Sequence, residues 1–163
     1  MNIAGRFKLS GFDLQEMELA YAPPFSSAKD PVNMAGYVIG NVMEGLMKPF
    51  YLEDLESIPE DAVRLDVRTV EEYAGGTIPG FINIPLDSLR ERMDELDLTK
   101  DIYITCQIGL RGYLAQRILD QAGARTWNLS GGYRFYEMKA KDEQSMAAAM
   151  TMCTECGMEV NAK

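Results

Sequence analysis

The chain of 163 residues contains no histidine. That absence removes Ser-His-Asp and Cys-His catalysis, His general bases and the usual zinc hydrolase sites together. Any chemistry must run on cysteine, carboxylates, tyrosine, lysine or arginine. Cysteine is itself scarce: three thiols cannot all pair within one chain, and a domain of this size needs no disulfide, so free thiols are expected. Positive charge is the minority sign, with 16 Lys and Arg against 25 Asp and Glu, a net charge of −9 and no local basic block. Phosphate backbones and anionic lipid surfaces are poor partners for such a chain. No apolar run reaches the ~20 residues that span a bilayer, and the basic start MNIAGRFKLSGFDLQEMELA lacks the apolar stretch of a signal peptide. The chain reads as cytoplasmic, with no nucleic-acid and no membrane partner.

What is present is a globular composition, 47% hydrophobic and 25% charged, on a length that holds one domain of about 100–150 residues plus appendages. Three stretches differ in texture. Residues 1–48 run from a Gly-punctuated start through a turn-rich segment to Asp30-Pro31, an N-cap and first-turn pair that predicts a helix. This helix carries Val32, Ala35, Ile39, Val42 and Leu46 as one apolar stripe, and Pro49 should end it.

From residue 50 to 138, apolar runs at 63–66, 81–84, 102–105 and 126–129 read as strands, alternating with helical patterns near 69–74, 86–96, 110–122 and 131–138. The alternation predicts an α/β fold with a mainly parallel central sheet flanked by helices on both faces. Residues 139–163 read as a flexible polar tail, able to form at most a weak helix near 142–152.

Cys106 follows directly after the strand Ile102-Tyr103-Ile104-Thr105 and precedes a helix with Leu114, Ile118 and Leu119 on one face. It therefore lies at the carboxyl end of a parallel strand, where open α/β sheets place their ligands. Loop N–H groups, the freedom of Gly109 and the positive end of the following helix dipole all favour a thiolate there, and Arg111 adds a cation at the end of the loop. A cysteine so placed is a nucleophile without histidine. The bland alternative is a buried apolar thiol, but that gives no reason for Gly and Arg three and five residues later at a strand-to-helix turn.

The segments Leu65-Asp66-Val67-Arg68-Thr69-Val70-Glu71-Glu72-Tyr73, Gly76-Thr77-Ile78-Pro79-Gly80, Asn83-Ile84-Pro85-Leu86, Cys106 through Arg111 and Asn128-Leu129-Ser130-Gly131-Gly132 resemble the rhodanese family in order and spacing, over roughly residues 52–138. One departure is Thr77, where the family often has His. The resemblance implies a rhodanese-like fold and a sulfurtransferase: Cys106 takes sulfane sulfur from thiosulfate or a persulfide and passes it to a thiol acceptor. It places Gln107, Ile108, Gly109, Leu110 and Gly112 at the substrate, gives Arg111 the role of orienting an anionic donor, and leaves Asp66 and Arg68 as a structural network under the loop. Related Cys-based phosphatases and arsenate reductases have five residues between Cys and Arg. Here four intervene, a ring better suited to one sulfur atom than to a phosphate.

Phe12-Asp13-Leu14 and the run from Glu18 to Asn33 resemble the closing part of the dimerisation domain of coenzyme A-disulfide reductases and NADH-dependent persulfide reductases, some of which carry a rhodanese domain next. That resemblance makes residues 1–48 a dimerisation-domain remnant of a fragment or truncated relative. No GxGxxG follows a strand, so neither FAD nor NAD is expected on this chain, and no metal is assigned. A weak homodimer through the apolar stripe and a flavin-dependent reductase partner are the expected associations. Tyr21 matches the family's aromatic hydroxyl, with an equally good reading as a turn anchor. Cys153-Thr154-Glu155-Cys156 is a CxxC whose readings are a flexible linker, a persulfide relay or half of an intersubunit zinc site. The alternative to an enzyme is a non-catalytic docking or dimerisation module, against which the intact Cys106 and Arg111 argue.

Overall fold

The structure, a computed structural model, describes residues 2–19 and 30–155, with side chains for 4–19 and 30–147. The chain divides into two compact units, Met1–Pro49 and Phe50–Lys163.

The first unit holds α1 (Asn2–Phe7), α2 (Gly11–Gln15) and α3 (Pro31–Met43). Ser10 and Asp13 form a capping box at the start of α2, and Asp30 caps α3, accepting from the Val32 N–H at 2.7 Å with Pro31 following. The helix stops before Pro49. Gly45, at φ +71°, ends it with a Schellman pattern in which the Leu46 N–H donates to the Asn41 carbonyl and the Gly45 N–H to Val42.

The covered face of α3 also differs from the apolar stripe that periodicity selects. Gly36 and Gly40 are the buried residues, while Ile39 and Val42 are exposed. A Cβ on Gly36 would lie 2.7 Å from the Gln15 nitrogen and 2.9 Å from the Gly11 carbonyl oxygen, so α2 and α3 meet backbone to backbone. Asn33 Nδ2 lies within 3.0–3.2 Å of the carbonyls of Leu14, Gln15 and Met17, capping the open end of α2. Close approach and carbonyl capping decide the face here, and neither registers in a hydrophobic pattern.

The second unit is a five-stranded sheet of β1 (Pro49–Phe50), β2 (Val63–Asp66), β3 (Ile82–Asn83), β4 (Asp101–Thr105) and β5 (Arg125–Leu129), in the order β1-β5-β4-β2-β3. The pairings of β2 with β3, β2 with β4 and β4 with β5 are parallel. Between strands lie α4 (Val70–Ala74) and α5 (Leu110–Gln121), and α6 (Gly132–Glu155) follows β5.

Alternation along β4 sends Ile102 and Ile104 into one core with Leu65, Leu89, Ala115 and Leu119. Tyr103 points to the opposite face, stacked on Trp127 at 5.1 Å and edge-on to Phe50 at 5.2 Å. Both faces are therefore covered, as a parallel sheet requires.

Three expectations need correction. The helix expected at 86–96 is two 3-10 turns, Leu86–Ser88 and Met93–Glu95, which still deliver Leu86, Leu89, Met93 and Leu96 to the core. The face that α5 buries is Gly112, Ala115, Gln116 and Leu119, with Leu114 exposed. No tail begins at 139: α6 runs unbroken to Glu155, because no Gly or Pro interrupts residues 133–155 and Lys141 pairs with Glu137 at 2.8 Å one turn away. Of the CxxC, Cys153 falls in the last turn of α6, and Cys156, like Tyr21, lies outside the described residues. Among the described residues no helix is long and apolar enough to cross a membrane.

Candidate active site

The sheet order fixes where the site must be. From β2 the chain moves outward to β3, and from β4 it moves the other way to β5, so the carboxyl ends of β2 and β4 form the crevice where the connections diverge. Asp66 closes β2 and Cys106 follows β4, with the Val67 N–H joining them by a bond to the Thr105 carbonyl at 3.0 Å.

Cys106 is buried at 1% exposure, beside the core formed by β2, β4 and α5. Burial alone fits a structural thiol as well as a reactive one; the loop around it does not. The Gly109 N–H donates to Cys106 Sγ at 3.0 Å, and Gly109 adopts φ +124°, a backbone only glycine takes readily. Gly109 is also the N-cap position of α5, so Leu110, Arg111 and Gly112 supply a first helical turn whose N–H groups have no intrahelical acceptor. The loop thus places one backbone donor, the Gly109 N–H, on the sulfur.

Two neighbouring elements hold the loop in this shape. The α6 N-terminus is pressed against it: the Tyr133 N–H donates to the Cys106 carbonyl at 2.8 Å and the Arg134 N–H to the Gln107 carbonyl at 3.1 Å. Gly132, at φ +61°, permits this approach, since a Cβ there would collide with the Cys106 carbonyl oxygen and lie 2.8 Å from the Ile108 nitrogen. From β5, Asn128 Nδ2 donates to the Gly109 carbonyl at 3.0 Å, while its Oδ1 occupies the space a side chain on Gly112 would need. Among the loop's own residues, Gln107 is half-buried, whereas Ile108 and Leu110 are exposed.

Asp66 and Arg68 lie below. The guanidinium contacts both Asp66 oxygens, Nη2 at 2.7 Å and Nε at 3.0–3.1 Å. It also donates to the carbonyls of Gly76 at 2.7 Å and Glu72 at 3.2 Å, and lies 3.9 Å over the Tyr133 ring. Asn83 Nδ2 bonds the carbonyls of Asp66 and Arg68 at 3.0 and 2.9 Å. Both charges are fully buried and partnered, so this network sets the shape of the crevice and is closed to substrate.

Arg111, expected to orient an anionic donor, is paired with a carboxylate. Its guanidinium is taken up by Glu72, Nη1 to Oε2 at 2.7 Å and Nη2 to Oε1 at 2.8 Å, with about a third of each side chain exposed. The hydrogen bond from Arg111 drops the Glu72 carboxyl from its ordinary 4.5 to about 2 and raises Arg111 further above its already high value. Glu72, Asn128 and Gly132 are the residues that motif reading left without roles. Glu72 carried a signal, because Thr69 and Glu72 have the spacing of a capping box at the start of α4, and the structure forms it.

A buried cysteine at the divergence of a parallel sheet, with the Gly109 N–H on its sulfur and α6 bonded to its loop, is a candidate thiol site. The chain matches the rhodanese-like domain over residues 52–139, more than half its length, and it belongs to that family. Curated relatives include the putative sulfurtransferase YtwF of Bacillus subtilis, 34% identical over 82 residues that cover 50% of this chain and 80% of that protein. A sulfurtransferase of Allochromatium vinosum is 39% identical over 74 residues, covering 45% and 69%. Among solved structures, reduced Bacillus anthracis CoADR-RHD is 46% identical with a TM-score of 0.78, covering 83% of this chain and 24% of that one. A NAD-dependent persulfide reductase from A. fulgidus is 38% identical with a TM-score of 0.71, covering 82% and 24%. The chain thus spans about a quarter of the length of each of these two proteins.

Proposed function

We propose that this protein transfers sulfane sulfur through a persulfide on Cys106, from thiosulfate or a persulfide donor to an acceptor thiol. The observation that carries the reading is the Gly109 N–H directed at Cys106 Sγ at 3.0 Å, at the N-cap of α5. In the first half-reaction the Cys106 thiolate attacks the outer sulfur of the donor; the new Cys–S bond forms as the donor's bond to that sulfur breaks, releasing sulfite or a thiolate. In the second, an acceptor thiolate attacks the outer sulfur and Cys106 leaves as the thiolate. The loop N–H groups stabilise the sulfur anion at each stage.

The likeness to CoADR-RHD and to a persulfide reductase supports a role as the sulfur-donating module of a flavin-dependent coenzyme A-disulfide or persulfide reductase system, with FAD and NAD on the reductase and none on this chain. The exposed Ile39, Val42 and Met43 of α3 support self-association. Sedimentation at rising concentration should show it, and a monomer throughout would remove that partner.

Mass spectrometry of the intact protein after incubation with sulfane donors tests the central step. One added sulfur, removed by cyanide and absent from Cys106→Ser, is the expected result. A docking module would show no adduct with any donor.

A further inference from the structure

Arg111 does not stand free beside the sulfur. Both ends of its fork are occupied by Glu72, at 2.7 and 2.8 Å, and Glu72 is not an adjustable surface group. Its Oε2 also accepts the Thr69 N–H at 2.9 Å, and its main-chain carbonyl is held by Arg68 at 3.2 Å. A guanidinium already engaged two-point by one carboxylate has little left for a second bidentate anion. Arg68, the other arginine under the loop, is buried on Asp66. Large apolar side chains are presented to solvent nearby: Ile108 and Leu110 in the loop, Leu114 one turn on, and Val70 at the start of the helix that carries Glu72, with Thr69, Glu71 and Arg134 as exposed polar neighbours.

We propose that Glu72 is the specificity-determining residue of this site: by neutralising Arg111 it disfavours dianionic donors such as thiosulfate and leaves a mouth fitted to a persulfide borne on an apolar thiol. The inference rests on the transfer through Cys106 set out above. The favoured step is attack by Cys106 Sγ on the outer sulfur of R–S–SH: the Cys–S bond forms, the R–S–SH sulfur–sulfur bond breaks, and its electron pair leaves on the inner sulfur as RS⁻. The proton stays on the new persulfide or passes to the leaving thiolate, and no net oxidation occurs. Thiosulfate would undergo the same displacement with sulfite leaving, but its dianion must approach the Glu72 carboxylate to do so.

The readout is the ratio of kcat/KM for thiosulfate to kcat/KM for an alkyl persulfide. In Glu72→Gln the amide oxygen can still accept from Thr69, so the capping box survives while Arg111 is released. The ratio should rise by about tenfold or more, with most of the change in the thiosulfate KM. In the double variant Glu72→Gln/Arg111→Met the ratio should stay within about twofold of the parent, because a neutral pair has been replaced by two neutral side chains. A ratio unmoved in Glu72→Gln while the Trp127 fluorescence remains native overturns the assignment. So does a tenfold fall in that double variant, which stands as a separate test if Glu72→Gln alone does not fold. A shift of the same size in Arg134→Gln would move the role to that exposed residue of α6. Failure of every donor to load Cys106 overturns the sulfurtransferase reading and this one together, whereas loading with an unmoved ratio overturns this one alone.

Discussion

Beneath the loop, Arg68 and Asp66 meet with both side chains closed off from water; beside it, Arg111 and Glu72 meet with 31% and 34% of theirs exposed. The chemistry of the two pairs is the same and their consequences are opposite. A buried pair gains little over an apolar substitute, but losing one partner strands a charge in a medium that cannot solvate it. A pair open to water is screened, holds little folding energy and can be rewritten at small cost. The buried pair therefore fixes the frame of the site, and the open pair is where its electrostatics can be tuned.

The contrast is tested most severely from below. Arg68→Met should cost about 3–5 kcal/mol in urea unfolding followed by the single Trp127, because Asp66 is left buried without its partner. Adding Asp66→Asn should recover part of that loss, since the stranded charge disappears. If the single variant unfolds at the parental midpoint, the pair is not the frame described here.

Gly132→Ala comes next, at roughly 2–4 kcal/mol. It sums a left-handed non-glycine backbone with a Cβ forced against the Cys106 carbonyl. The loop must open to admit the methyl group, so persulfide loading on Cys106 should fall further than stability does. Loading at the parental rate in a folded Gly132→Ala would show that the α6 contact does not shape the loop. Arg111→Met, by contrast, should cost under about 1 kcal/mol in the same unfolding measurement.

The sequence reveals the two regions unequally. Cys106, the strand before it and the helix after it are local patterns, and so is the Asp66-Val67-Arg68 turn that ends β2. They were legible because hydrophobic period, glycine and spacing are written in adjacent residues. Glu72 and Arg111 are 39 positions apart, and nothing local marks them as partners. Asn128 under Gly112 and Gly132 against Cys106 are likewise contacts made by the fold, in which the informative atom is one that glycine lacks. The same limit hid the Gly36 face of α3, where a hydrophobic stripe was the louder signal.

The smallest effect is also the one that most directly separates the two pairs, and it lies in the acid limb of stability. Glu72 titrates at about 2 in the folded chain against an ordinary 4.5, chiefly because Arg111 donates to its carboxylate. A carboxyl lowered on folding stabilises the native state wherever it is ionised in both states, and that contribution is lost as pH falls from the unfolded value through the folded one. The window is therefore from 4.5 down to about 2. Other carboxyls lose protective contacts in the same range, among them Asp97 and Glu95, so the parental curve alone does not isolate Glu72. The difference between parent and Glu72→Gln does. Urea midpoints read on Trp127 should differ by a constant amount above the ordinary carboxyl value and converge across the window. The gap should narrow in high salt, because a pair one-third exposed is screened. Parallel curves at every pH would mean that the Glu72 carboxylate gains nothing from Arg111 in solution, and the open pair would then lose its place as the tunable element of the site.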